Sequence, residues 1–356
     1  MGTLSPRIEL AVLNCPHGGD GLCRMDVPAT PASRDRCLAC VERNHPELCM
    51  EAILEPEIDP VRAPDGEIDP EWHARPVSPV ILNRDRGDCY TPSGLDNAYA
   101  GQKLFVVGGG PSLADVDVAE MHRTRACILA VNNAGAIPGL RPHFWTCTDG
   151  GDHFHPNIWT DPAIRKIVPM GVGNDKVRRK REGQFTDIGL RVRDCPSTHF
   201  FELGRKFDRH RFLPESCVTW GNPPGIPCSE GHQSGRSVML VAMKLAFVLG
   251  FSEVFLVGVD FRMDQSRPYA FPQEKNPVFD ADGKQTSDPV GTNNRSYGIT
   301  SDRLRAVHPY MRQAGMTIWN ANPESRLDVY PRIPYCMAIQ RARVGLELDP
   351  DLSGWY

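Results

Sequence analysis

Lys103-Leu-Phe-Val-Val-Gly-Gly-Gly-Pro-Ser-Leu113 places three glycines, a proline and a serine directly behind a short apolar run. Glycines let a backbone turn sharply and present its N–H groups to an anion at close range. Pro111 has no N–H but presets φ for a turn or a first helical position. Ser112 adds a hydroxyl. Gly108, Gly109, Gly110 and Ser112 are therefore candidates to hold a phosphate. The run fits neither G-x-G-x-x-G nor the lysine-bearing P-loop, which disfavours an ordinary dehydrogenase or P-loop kinase. Taken alone, it suits a plain strand-to-helix turn equally well.

Three further apolar runs end in polar groups. Ile128–Val131 runs into Asn132 and Asn133, whose amides can read a base or a ribose. Phe144–Thr148 continues into Asp-Gly-Gly-Asp-His-Phe-His155, and Glu253-Val-Phe-Leu-Val-Gly-Val-Asp260 ends on a carboxylate. Asn pairs also favour turns, and Asp residues also cap helices. Four such ends on one edge of one sheet nevertheless describe a nucleotide site. Asp149, Asp152 and His155 could hold Mg²⁺ or could cap a helix. Asp149, His153, His155 and Asp260 are the candidates for a proton acceptor.

These ends need a scaffold that aligns them. Strands are predicted at Leu104–Val107, Ile128–Val131, Phe144–Thr148 and 253–260, the last as a central strand, with a final one at Thr317–Trp319. Ser237–Leu249 is apolar on nearly all faces and reads as a buried helix ended by Gly250. Ala306–Ala314 reads as another helix despite Pro309. Short apolar strands alternating with helices imply an α/β fold: a Rossmann-like, mostly parallel sheet with helices on both faces. Ligands of such sheets bind beyond the carboxyl ends of the strands.

The 356 residues suffice for one sizeable α/β domain and a smaller module, and 40% hydrophobic with 24% charged content is ordinary for a soluble protein. The formal charge of −4 gives no global case for nucleic-acid binding. Lys176-Val-Arg-Arg-Lys-Arg181 is a local exception, read as a solvated loop or as a contact for an anionic partner. Arg7 and Glu9 interrupt any signal peptide, Pro6 spoils a myristoylation motif, and Val238–Phe251 is too short to span a bilayer. A cytoplasmic location is expected.

Five of twelve cysteines, Cys15, Cys23, Cys37, Cys40 and Cys49, fall in the first 49 residues. The Cys37-Leu-Ala-Cys40 knuckle suits tetrahedral zinc, with the second pair drawn from Cys15, Cys23, Cys49 and His17. Free thiols, an iron–sulfur cluster or disulfides are the alternatives. A structural zinc module over 1–50 is expected, then a proline-rich linker or packed arm over 51–98, then a nucleotide-binding domain over 99–345. Within the arm, Pro79–Leu82 could form one strand.

Val106-Val-Gly-Gly-Gly-Pro-Ser-Leu113, Ala130-Val-Asn-Asn133, Ser234-Gly235 and Phe255-Leu-Val-Gly-Val-Asp-Phe261 together resemble the core of a superfamily. It contains bacterial sialyltransferases, motility accessory factor glycosyltransferases and MptE-like hydroxymethylpterin pyrophosphokinases. The resemblance covers residues 101 to 335. It implies that Gly109, Gly110 and Ser112 hold the donor phosphate, that Asn132 or Asn133 contacts the donor, and that Ser234 and Gly235 belong to the nucleotide site. It also implies a lid over 262–300. Within the lid Tyr269 resembles a tyrosine that bonds the leaving phosphate, and Arg262 stands where a second tyrosine would be. The family's histidine base is missing from Ser296-Tyr-Gly-Ile-Thr300, and His308 lies further along the chain.

Two activities follow from this resemblance. One is a glycosyltransferase using a nucleotide-activated sugar, with Asp149, Asp260, Arg262 and Tyr269 as catalytic residues. The other is a pyrophosphokinase moving diphosphate from ATP with Mg²⁺. A non-catalytic nucleotide-binding scaffold is the third reading. The acceptor is open; the cysteine module and the cationic run would suit a macromolecule, nucleic acid included.

Overall fold

The computed structural model describes residues 10–11, 22–23, 74–85, 89–181, 184–204, 207–219, 237–264, 266, 269–270 and 287–343. The chain divides into two units, Met1–Val61 and Arg62–Tyr356. In the first, β1 (Leu10–Ala11) pairs antiparallel with β2 (Leu22–Cys23). Cys15, Cys37, Cys40 and Cys49 lie outside the described residues, and of Cys23 only the strand backbone is described.

In the second unit the described residues form a nine-stranded sheet ordered β13-β12-β5-β6-β7-β8-β11-β3-β4. Its strands are β3 (Leu82–Arg84), β4 (Tyr90–Pro92), β5 (Lys103–Val107), β6 (Cys127–Val131), β7 (Phe144–Thr146), β8 (Arg165–Pro169), β11 (Thr198–Phe201), β12 (Glu253–Val257) and β13 (Thr317–Asn320). From β13 to β11 every neighbouring pair is parallel. β3 and β4 close one edge antiparallel.

Leu104–Val107, Cys127–Val131 and Val254–Val257 are apolar and buried because both faces of these strands are covered. Leu104, Val106, Leu129, Val131, Val254 and Leu256 share one core with α3 (Val238–Leu249) and α4 (Pro289–Gln313). On the other face Phe105 meets Phe255 at 5.2 Å. There Trp145 packs edge-on against Trp159, 4.8 Å away on α2 (Pro156–Thr160). α1 (Val118–His122) follows β5, and α5 (Tyr335–Arg343) lays Arg341 over the Trp319 ring at 4.6 Å.

α3 is the buried helix expected from its composition. Ser237 caps it by accepting from the Met239 N–H, and Gly250 ends it in the left-handed region at φ 98°. Its one cation, Lys244, is fully buried and donates to the carbonyls of Leu213 and Glu215. Burial pulls its pKa down to about 7.

Several expectations are corrected. β12 is second from the sheet edge rather than central. Residues 82–92, within the expected linker or arm, supply the two edge strands; Val80 and Ile81 are buried just ahead of them. The cationic run 176–181 is strand β9, paired in an antiparallel hairpin with β10 (Gln184–Arg191). The span expected as a lid ends in helix, since α4 begins at Pro289 and runs through Pro309 to Gln313. Gly291, Asn293, Asn294 and Gly298 disguise that helix in the sequence. Tertiary bonds hold it instead: Asn294 accepts from the Met263 N–H at 2.8 Å and donates to the Met263 carbonyl at 3.1 Å. Among the described residues no helix is long and apolar enough to cross a membrane.

Candidate active site

β5 comes first in the parallel series. β6, β7, β8 and β11 extend to one side of it, and the chain then crosses to place β12 and β13 on the other. The switch in direction therefore lies between β5 and β12, where open α/β sheets bind ligands. Gly108–Ser112 and Gly258–Asp264 line it.

The glycine crest is built for close approach between these two loops. The Gly108 N–H donates to Val257 O and the Gly110 N–H to Gly258 O, both at 2.8 Å. A Cβ on Gly108 would stand 2.6 Å from Gly258 O, and one on Gly110 would run into Asp260 Oδ2. Two of the three crest amides are thus spent within the protein, contrary to the expectation that they face a phosphate. The N–H of half-buried Gly109 has no partner among the described residues.

Asp260 joins three chain segments. Its Oδ2 accepts from Ser112 Oγ at 2.9 Å and its Oδ1 from Asn322 Nδ2 at 2.9 Å. Its carbonyl accepts from the Arg326 N–H at 2.8 Å. Burial raises its pKa, while the bonds from Ser112 and Asn322 and the nearby Arg262 charge act against the rise. Asn322, two residues beyond β13, was missed in the sequence; the polar-residue-after-strand rule that found Asn132 would have found it. Phe261 follows in a strained left-handed conformation, φ 49°, and its ring stacks on Tyr297 at 5.2 Å.

Asn132 is strained in the same way at φ 51°. Its carbonyl accepts from Trp145 Nε1 at 2.6 Å, and its side-chain Oδ1 is buried without a hydrogen-bond partner among the described residues. Such an acceptor wants a donor. Asn133 Oδ1 accepts from the His155 N–H at 3.4 Å.

Tyr269 and Arg262 are exposed, and the neighbouring Ala270 N–H donates to Gly109 O at 3.1 Å, placing Tyr269 beside the crest. Burial, with Tyr269 and Asp260 nearby, pushes the Tyr297 hydroxyl up. Ser234 and Gly235 lie outside the described residues.

The expected Mg²⁺ ligands do not converge. His155 Nδ1 caps α2 by accepting from the Asn157 N–H. Asp152 lies 3.6 Å from His153 Nε2 and 3.7 Å from the Arg178 guanidinium. Asp149 is exposed. Among the described residues no three His, Cys, Asp or Glu side chains form a metal site. His308 is a core residue of α4, edge-on to Tyr330 at 5.0 Å, and burial holds its pKa down at about 4.

No protein-family model and no curated protein matches this chain. Among solved structures it is similar to a MAf glycosyltransferase from Magnetospirillum magneticum AMB-1, at 18% identity and TM-score 0.38, over 76% of this chain and 40% of that one. It is also similar to the sialyltransferase CstII from Campylobacter jejuni, solved with a substrate analogue, cytidine-5'-monophosphate. That match has 11% identity and TM-score 0.35, over 67% of this chain and 87% of that one. A mammalian sialyltransferase follows at 13% identity and TM-score 0.30, over 61% and 69% of the two chains. The chain thus spans about two fifths of the MAf enzyme's length. At these scores the likenesses carry no residue-level correspondence.

Proposed function

We propose that this protein transfers a sugar from a nucleotide-activated donor bound at the β5–β12 switch point. The observation that carries the reading is Asn132, strained at a strand end with a buried acceptor that has no partner among the described residues. A base amino group or a ribose hydroxyl would satisfy it. The donor phosphate would sit at the Gly109 N–H, with Arg262 and Tyr269 over it. The motif resemblance around Gly108–Ser112 and Gly258–Phe261 supports the same assignment.

In the transfer, an acceptor oxygen bonds to the anomeric carbon as that carbon's bond to the donor phosphate oxygen breaks. The leaving phosphate takes the electron pair, stabilised by Arg262 and the Tyr269 hydroxyl. The acceptor proton passes to a carboxylate. Asp149, exposed three residues beyond β7, is the carboxylate proposed; both Asp260 oxygens accept hydrogen bonds from Ser112 and Asn322. Asp260 then serves to position Ser112. Diphosphate transfer from ATP is the weaker reading, since Asp149, Asp152 and His155 do not gather around one point. A structural zinc on the N-terminal cysteines is also part of the proposal.

A thermal-shift panel of nucleotides and nucleotide sugars, with and without Mg²⁺, tests this. A ligand at 100 times its Kd adds about 2.7 kcal/mol of stability. Metal-independent stabilisation by a sugar nucleotide is the expected result. Stabilisation by ATP only with Mg²⁺ would transfer the site to diphosphate chemistry, and silence across the panel would leave a scaffold.

A further inference from the structure

Trp145 is wholly buried on β7, beside Ala130 of β6 in the parallel register and so two positions short of Asn132. A buried tryptophan needs a partner for its one polar atom. Here Nε1 donates to the Asn132 carbonyl at 2.6 Å. The accepting residue is the one held at φ 51°, whose own Oδ1 is buried without a partner among the described residues. Asparagine tolerates that conformation better than most residues, but the conformation persists only where its surroundings hold it.

The surroundings are shaped for this contact. Gly135, in the turn that Asn132 begins, lies against the indole: a Cβ there would stand 2.5 Å from Trp145 Cδ1 and 2.9 Å from Nε1. Its backbone is not left-handed, so glycine serves here for space. Trp159 and Phe154 meet the same ring edge-on, at 4.8 Å and 5.2 Å, and fix its plane. Trp159 Nε1 is buried without a partner among the described residues. Of these two indoles, only Trp145 carries a bond to the site.

We propose that Trp145 is the positioning residue of the nucleotide site. Its indole N–H fixes the Asn132 turn, and the turn holds Asn132 Oδ1 ready for a donor group of the bound nucleotide. The proposal rests on the reading of Asn132 as a nucleotide contact, and Trp145 acts through that residue. A plain core role would make Trp145 and Trp159 equivalent, as two large rings of one aromatic cluster. The hydrogen bond separates them. Loss of the N–H at Trp145 frees the turn, whereas loss of the N–H at Trp159 breaks no bond among the described residues.

The test is isothermal titration of the full chain with nucleoside 5′-monophosphates and 5′-diphosphates of the four common bases. Trp145→Phe keeps an aromatic ring and removes the donor. It should raise Kd by about threefold to tenfold, the equivalent of one hydrogen bond. Gly135→Ala drives the indole off the carbonyl and should do the same; it serves where Trp145→Phe does not fold. Trp159→Phe should lower the melting temperature yet leave Kd unchanged. On an Asn132→Ala background, Trp145→Phe and Gly135→Ala should add nothing to the loss, which a double-mutant cycle reads directly. Losses that add, a Kd unmoved by both changes, or an equal loss with Trp159→Phe would overturn the proposal and leave Asn132 as a contact. A parent that binds none of the nucleotides, or binds equally well after Asn132→Ala, would overturn the donor-site reading and this proposal with it.

Discussion

Ser112 Oγ donates to Asp260 Oδ2 at 2.9 Å, tying the turn after β5 to the end of β12 across 148 residues of sequence. The bond fixes both walls of the crevice at the switch point. Asn322 holds the other Asp260 oxygen from beyond β13, so one carboxylate sets the relative positions of three strand ends.

Replacing Asp260 by Ala should cost about 2–4 kcal/mol, since it strands three donors, the Ser112 N–H and Oγ and the Asn322 Nδ2, in a half-buried site. Ser112→Ala removes one bond only and should cost about 1 kcal/mol. Urea denaturation of the two variants checks the order. Equal losses would show that Asn322 contributes nothing to the tie.

Gly110→Ala should destabilise by about 1–3 kcal/mol, because its methyl would collide with Asp260 Oδ2 and approach Gly258 O to 2.7 Å. Gly298→Ala is the matching control. Gly298 lies inside α4, and an alanine methyl there would meet no atom within 4 Å. That substitution should stabilise by about 0.5–1 kcal/mol. Thermal melts of the pair distinguish a crest under steric constraint from one that merely tolerates glycine.

Asn132→Ala should leave stability within about 1 kcal/mol of the parent. The strain of alanine at positive φ is offset by loss of a buried, unpaired acceptor. Its ligand-induced thermal shift should nevertheless fall, by the equivalent of about tenfold in affinity for a lost hydrogen bond to ligand. An unchanged shift with every nucleotide would remove Asn132 from the site.

His308 should make the fold acid-sensitive. Its folded pKa, about 4, lies below the ordinary 6.5, so the unfolded chain binds the extra proton first. Stability contributed by the neutral ring is complete above pH 6.5 and is lost as pH falls towards 4, up to about 3 kcal/mol in all. Denaturation of His308→Gln over pH 7 to 4 should show a shallower decline. A parallel decline in both proteins would place the acid sensitivity elsewhere.

Metal analysis of the full chain should find one zinc per molecule, released when the N-terminal cysteines Cys37 and Cys40 are both replaced by serine. Zinc absent from the parent, or unaffected by that double change, would remove the expected module.

Local chemistry made much of the sheet legible. Leu104–Val107 of β5, the whole of β6 and Val254–Val257 of β12 announce themselves as apolar runs, because parallel strands are covered on both faces. α3 is marked by its own ends, the Ser237 cap and the left-handed Gly250. Asn132 and Asp260 follow from the rule that polar groups gather at the carboxyl ends of such strands. Each signal lies within a dozen residues of chain.

Tertiary structure decided what those residues do. Gly108 and Gly110 looked like free donors, yet their N–H groups are taken by Val257 and Gly258, some 150 positions away. The start of α4 reads as loop by propensity and is helical because Asn294 clasps Met263. The cationic run 176–181 reads as a solvated loop and is a strand because β10 supplies its hydrogen-bond partners. Strand periodicity and turn chemistry are local properties of the chain. Which amide meets which carbonyl depends on strand order, and that order exists only once the sheet has closed around its core.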